Sequence, residues 1–251
     1  MTSTFISTGV VSQRPCDIAG DRGLYSRAEW RISGVVVPNS GLQALPIHSL
    51  THSPTHPLTH SLTHSPTHSP SLLSPPTPLL LCPIRGFKGR DFSCSVVEVL
   101  RVQNRDLWKE YAFRRRRTAE LNDGDPNELL DLKHGTSRTA PGEVYGCRQG
   151  LDSRFSETGY YGRGLYLAEE ASYVDGGYRH TLDAAARLHQ MLLVRASVGT
   201  PEQRAGQDRS IKMPVVGRHT VRGPVRGHQQ AYVCYELYMA YPEYLITYVS
   251  Q

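Results

Sequence analysis

Residues 161–173 read YGRGLYLAEEASY; an HGT triplet precedes them at 134–136, and AYPEYLITY follows at 240–248. The first block mixes glycine, tyrosine and small residues, a composition suited to a turn. A histidine followed by glycine at the end of an apolar run offers an imidazole beside a residue with no side chain. A flat ligand can approach the backbone of Gly135 closely. Tyr160, Tyr161, Tyr166, Tyr173 and Tyr178 crowd into nineteen positions, and such rings suit stacking on a planar group. Taken singly, each of these residues is equally at home packing the edge of a core.

Working outward, Ser95–Val102 (SVVEVLRV) is β-branched and reads as a strand. Asp106–Leu121 places Leu107, Trp108, Tyr111 and Ala112 at helical spacing and reads as an amphipathic helix. Its Arg114–Arg117 run shares the helix with Lys109, Glu110 and Glu120, so we read it as a solvated face rather than a nucleic-acid patch. Leu129–Lys133, Met191–Val198, Ala231–Glu236 and Tyr244–Val249 read as strands, Gly159–Tyr166 as a turn and Leu182–Leu188 as a helix. Strands and helices mix without regular alternation, which argues for an α+β fold.

Upstream the character changes. His48, His52, His56, His60, His64 and His68 stand four apart, but Pro54, Pro57, Pro66 and Pro70 forbid the helix that would align them on one face. Residues 43–84 are therefore expected to form a low-complexity His/Pro/Ser/Thr linker. Residues 1–42 hold only short candidate strands such as Arg31–Val37, and no role is assigned to them.

The chain of 251 residues has room for one domain of ordinary size with appendages. No apolar run approaches the roughly 18–20 residues of a membrane helix, and no secretory leader is evident. An intracellular protein, nuclear or cytoplasmic, is expected. The five cysteines are scattered and never form a CxxC pair, which disfavours a disulfide framework and a zinc ribbon. A net charge of +5 is mildly basic and does not by itself imply nucleic acid.

In their order and spacing, VQNRDLWKEY (102–111), HGT, YGRGLYLAEEASY and AYPEYLITY resemble the catalytic domain of the poly(ADP-ribose) polymerase family of ADP-ribosyltransferases. The tail looks closest to tankyrases and to mono-transferases, and the resemblance covers about 92–251. It implies the ADP-ribosyltransferase α+β fold, two small antiparallel sheets around an NAD cleft with flanking helices. It also implies a transferase, a glycosyltransferase in class, that uses NAD as substrate without a metal and modifies protein acceptors, acting as a monomer. By that resemblance His134 binds a ribose hydroxyl of the adenosine half and Thr136 lies near the adenine ribose. Gly135 grips the carboxamide through its backbone, Tyr166 and Tyr178 flank the nicotinamide, and Arg154 contacts the adenosine end.

Two departures follow. The family's carboxamide-binding serine stands eight residues after the tyrosine matched by Tyr166, and that position here is Val174. The glutamate of polymerising members stands thirteen residues before the tyrosine matched by Tyr244, and that position is Ala231. Glu236 lies five residues on, and strand alternation turns it to the opposite face. The third catalytic position is thus read as vacant. Transfer of single ADP-ribose units with release of nicotinamide is expected; the alternative is a degenerate domain that binds NAD or a partner without catalysis.

Overall fold

The computed structural model describes residues 6–9, 30–36, 87 and 92–251. The His/Pro segment expected at 43–84 lies outside the described residues. In chain order the strands are β1 Ile6–Gly9, β2 Trp30–Val36, β3 Cys94–Asn104, β4 Glu128–His134, β5 Thr158–Gly159, β6 Gly162–Arg163, β7 Leu165–Ala168, β8 His180–Asp183, β9 Leu188–Ser197, β10 Pro201–Gln203, β11 Thr220–Pro224, β12 Gln230–Cys234 and β13 Ala240–Ser250. The α-helices are α1 Arg105–Glu120, α2 Pro141–Gly146 and α3 Ala171–Asp175. The molecule is mostly sheet with few helices, consistent with the α+β expectation.

β1 and β2 fall in the segment to which the sequence assigns no role. They extend the sheet, β2 pairing antiparallel along β3 from Trp30 opposite Asn104 to Val36 opposite Glu98. The path then runs β3-β13-β9-β4, with β8 also on β9, and continues β7-β12-β11-β10. The two expected sheets are therefore linked, but only just. β4 meets β7 at a single residue pair, Lys133 with Ala168, whereas β13 and β9 pair over most of their length. The sheets are also not wholly antiparallel, because β10 pairs with β11 in parallel. That one-pair seam positions the candidate site.

Burial follows strand alternation. On one face, Ala168, Ala231, Val233, Val221, Met191, Leu193 and Ile246 join Phe87, Phe92, Tyr161 and Tyr248 in one core cluster. On the other, Leu132, Leu165, Leu167, Leu192, Val194 and Cys234 form a second cluster with Tyr145 and Met239. β-branched and leucine-rich strands buried on both faces need no alternating polar residues, which explains their near-continuous apolar runs.

α1 begins where Asn104 Oδ1 accepts from the backbone N–H groups of Asp106 and Leu107, both at 3.1 Å, and so caps two otherwise orphaned donors. It ends where Gly124, at φ +87°, donates to Ala119 O at 2.8 Å, the left-handed C-terminal turn that glycine tolerates. Leu107 and Tyr111 pack against Tyr241 beneath it.

The expected helix over Leu182–Leu188 is not formed. The residues make the turn of the β8–β9 hairpin. Asp183 Oδ1 accepts from the backbone of Ala185 at 2.8 Å and Ala186 at 3.1 Å, and Arg187 adopts φ +51°. An aspartate folding back on its own backbone closes a turn where alanine composition alone reads helical.

Candidate active site at the sheet seam

His134 ends β4 at the seam. Its Nδ1 lies 2.9 Å from the carbonyl oxygen of Tyr166 on β7. A carbonyl only accepts, so Nδ1 carries the proton and Nε2 is left with a lone pair. Burial holds the imidazole pKa below its ordinary value, and the bond to Tyr166 opposes that only in part. The neutral ring with an acceptor at Nε2 is the form that receives a hydroxyl donor.

Tyr166 shares a face of the sheet with Ala231, because Ala168 stands opposite Ala231 and Tyr166 opposite Val233. The Tyr166 hydroxyl accepts from the Tyr161 N–H at 2.7 Å and donates to Gly162 O at 2.9 Å. The ring therefore holds the β5–β6 hairpin, and burial pushes its pKa up to about 12. A Cβ at Gly159 would lie 2.6 Å from the Tyr166 ring, which explains the glycine there.

The space where a Gly135 side chain would stand is filled by the chain itself. A Cβ there would lie 2.1 Å from the Tyr178 carbonyl oxygen and 2.7 Å from Val174 Cγ1. The close approach that this glycine permits is thus made by the chain itself. The segment is clasped: Ser137 N donates to Tyr178 O at 2.8 Å, and His180 Nδ1 is 2.9 Å from Ser137 O. Val174 is buried in the core. Tyr178 is 44 % exposed and its ring is tilted against Tyr173, centroids 5.1 Å apart.

Ala231 is fully buried, between Ala168 on β7 and Gly223 on β11. The Tyr161 hydroxyl fills the place of a Cβ at Gly223, 2.4 Å from it, and donates to Pro224 O at 2.6 Å. No carboxylate stands at this position.

Two further expected residues have partners within the chain. Thr136 Oγ1 donates to Thr139 O at 2.6 Å, closing a local turn. Arg154 is paired through Nε and Nη2 with the buried Asp152 carboxylate at 2.8 and 2.6 Å. That pairing raises its pKa. The described contacts unite His134, Gly135, Tyr166, Val174 and Tyr178; they do not bring Arg154 to that group.

The sequence reading missed Lys133. Its side chain is 4 % exposed, its Nζ donates to Glu169 O across the seam at 2.8 Å, and burial depresses its pKa. A lysine directly before the strand-end histidine, in an otherwise apolar position, was the available signal. Ser137 was missed for want of any pattern, since its partner Tyr178 is forty-one residues away.

Among the described residues no group of three His, Cys, Asp or Glu side chains is placed to hold a metal ion, and no helix is long and apolar enough to cross a membrane. The described cysteines, Cys94, Cys147 and Cys234, form no disulfide with one another.

No family model matches the chain. Among curated proteins, it is 29 % identical over 161 residues to a probable poly [ADP-ribose] polymerase of Dictyostelium discoideum, covering 62 % of this chain and 45 % of that protein. It is 28 % identical over 167 residues to the human protein mono-ADP-ribosyltransferase PARP12, covering 62 % of this chain and 22 % of that one. Against human PARP14, also named a protein mono-ADP-ribosyltransferase, it is 28 % identical over 159 residues, 61 % of this chain and 9 % of that one. The chain thus spans less than half the length of the curated relatives it matches. Motifs and relatives agree, and over some three fifths of its length this chain is similar to proteins of the poly(ADP-ribose) polymerase family of ADP-ribosyltransferases.

Proposed function

We propose that residues 92–251 form an NAD-dependent ADP-ribosyltransferase that attaches single ADP-ribose units to protein acceptors. The observation that carries this reading is His134, locked by the Tyr166 carbonyl with Nε2 free to accept a ribose hydroxyl. Tyr166 and Tyr178 supply the flanking rings. The fit to NAD is good at that hydroxyl and poorer at the carboxamide, where Val174 offers no hydrogen bond. One such bond contributes about 1–3 kcal/mol.

In the reaction the bond between nicotinamide and ribose C1′ breaks. Nicotinamide leaves with the bonding electrons, the acceptor's lone pair forms the new bond to C1′, and the acceptor's proton passes to solvent or to a neighbouring acceptor side chain. Orienting the dinucleotide across the seam supplies part of the rate. With Ala231 in place of a carboxylate, nothing at that position holds the nicotinamide-ribose 2′-hydroxyl and orients the acceptor, and elongation is disfavoured. The relatives named mono-ADP-ribosyltransferases support the same reading.

The test is incubation of the purified chain with NAD, followed by nicotinamide quantification and intact-mass analysis of labelled protein. Additions of one ADP-ribose per site are expected. Absence of nicotinamide release from a folded protein that still binds NAD would instead support a non-catalytic domain.

A further inference from the structure

The outer part of α1 carries a feature that the transferase reading does not use. Arg105, Lys109, Ala112 and Arg116 recur at helical spacing, forming one exposed stripe along a helix about 24 Å long. Trp108 stands on one side of the stripe and Phe113 on the other, 43 % and 60 % exposed. The Arg116 guanidinium lies over the Phe113 ring at 5.5 Å.

At the N-terminal end of the stripe a solvent-open pocket of about 310 Å³ lies between α1 and the sheet. Arg101, Arg105, Trp108, Arg195 and Tyr241 line it, together with Glu243. Arg195 is bound to Glu243 at 2.9 Å and its guanidinium sits 5.6 Å from the Trp108 ring centroid. Glu243 is thereby neutralised. Arg101 and Arg105 are exposed and make no ion pair among the described residues. The helix N-terminus is not the attraction, because Asn104 already caps it.

The Arg114–Arg117 run is partly spent within the molecule. Arg114 is paired with Glu236, Arg115 with Glu128, and Arg117 with Glu120. α1 nevertheless carries six basic residues against three acidic ones. Lys109 and Arg116 on the stripe also face carboxylates, Asp106 at 3.8 Å and Glu120 at 3.9 Å, so the free charge is concentrated at the pocket mouth on Arg101 and Arg105.

We propose that this surface binds single-stranded nucleic acid. Arg101 and Arg105 hold phosphates at the pocket, a base stacks at Trp108, and the strand continues along Lys109, Phe113 and Arg116. Interleaved exposed aromatics and cations are what a sequence-tolerant single-strand groove requires. An acidic peptide has no use for the stacking surface. A membrane is a poorer match, since Trp108 is packed against Tyr241 with ring centroids 5.2 Å apart and Arg101, Arg105 and Arg195 line the pocket beside it. β13, below the pocket, lies two strand spacings, about 10 Å, from β4, which carries His134 at the candidate active site.

The test is fluorescence anisotropy of the full chain with a labelled short oligo(dT) across a salt series, comparing R101E/R105E with R187E/R218E. The two variants change charge equally, and all four positions are exposed. Circular dichroism checks that each is folded. R101E/R105E is expected to weaken binding by at least about tenfold and to flatten the salt dependence by about 1.4 in log–log slope, two phosphate contacts on a single strand. Equal weakening in both variants, displacement by polyglutamate as readily as by unlabelled oligo(dT), or no binding at low salt would each overturn the proposal. Neither arm depends on NAD turnover.

Discussion

The Nδ1 atom of His134 is bonded to the backbone carbonyl of Tyr166 at 2.9 Å, across a seam where β4 and β7 share only one residue pair. The bond fixes the tautomer of the ring and ties the two halves of the sheet at the point where a ligand would lie. It makes His134 a local brace as well as the proposed binding group.

His134→Ala should therefore have two separable effects. Losing the Nε2 acceptor is expected to lower nicotinamide release by tenfold or more, in line with about 1.5–3 kcal/mol if the bond tightens in the transition state. Losing the Nδ1 bond should cost about 1 kcal/mol of stability. Nicotinamide release and thermal melting of the same preparation measure the two.

Gly135→Ala is expected to be worse for the fold than its size suggests. The new methyl meets the Tyr178 carbonyl, which is backbone held by Ser137, and cannot rotate away. Overpacking of this kind costs about 1–3 kcal/mol, read as a lowered urea midpoint. Gly177→Ala, where a Cβ meets nothing within 4 Å, serves as the control and should shift far less.

The vacant carboxylate position is tested by Ala231→Glu. The site is fully buried beside Ala168 and Val233, so the new group is desolvated and the protein should melt at a lower temperature. Among molecules that remain folded, nicotinamide release should rise about tenfold or more, because a carboxylate on the Tyr166 face reaches the ribose. Unchanged release per folded molecule would mean that β12 does not border the cleft. Combining it with Val174→Ser should lower KM for NAD further.

Acid should destabilise the protein earlier than carboxylate chemistry alone dictates. Burial depresses the pKa of His134, and burial together with the Arg179 charge depresses that of His189. As pH falls below the ordinary histidine value of 6.5, the unfolded chain takes up protons that the folded chain refuses. The contribution of both groups is complete above 6.5 and is lost as pH falls through their folded values. Melting curves between pH 7.5 and about 5 should show a decline that is smaller in His189→Asn. Activity per folded molecule should hold just below pH 6.5 and fall only as pH passes the lower folded value of His134, where protonation removes the Nε2 acceptor.

Sequence alone fixed the main elements around the site. A β-branched run, a helix with Leu107 and Tyr111 at helical spacing, an apolar strand ending in His-Gly and the tyrosine-rich turn are all local patterns, and each is legible because periodicity and turn chemistry act over a few residues. It also identified Ala231 and Val174 as departures, by counting. Only the tertiary structure decided that Gly135 is covered by Val174 and the Tyr178 carbonyl, that Arg154 is held by Asp152 and that Lys133 spans the seam. It decided too that Leu182–Leu188 turns rather than coils, because Asp183 captures backbone donors and β8 finds a partner in β9. Those outcomes depend on which strands meet and at what register, and a pairing between residues tens of positions apart leaves no periodic trace in the chain.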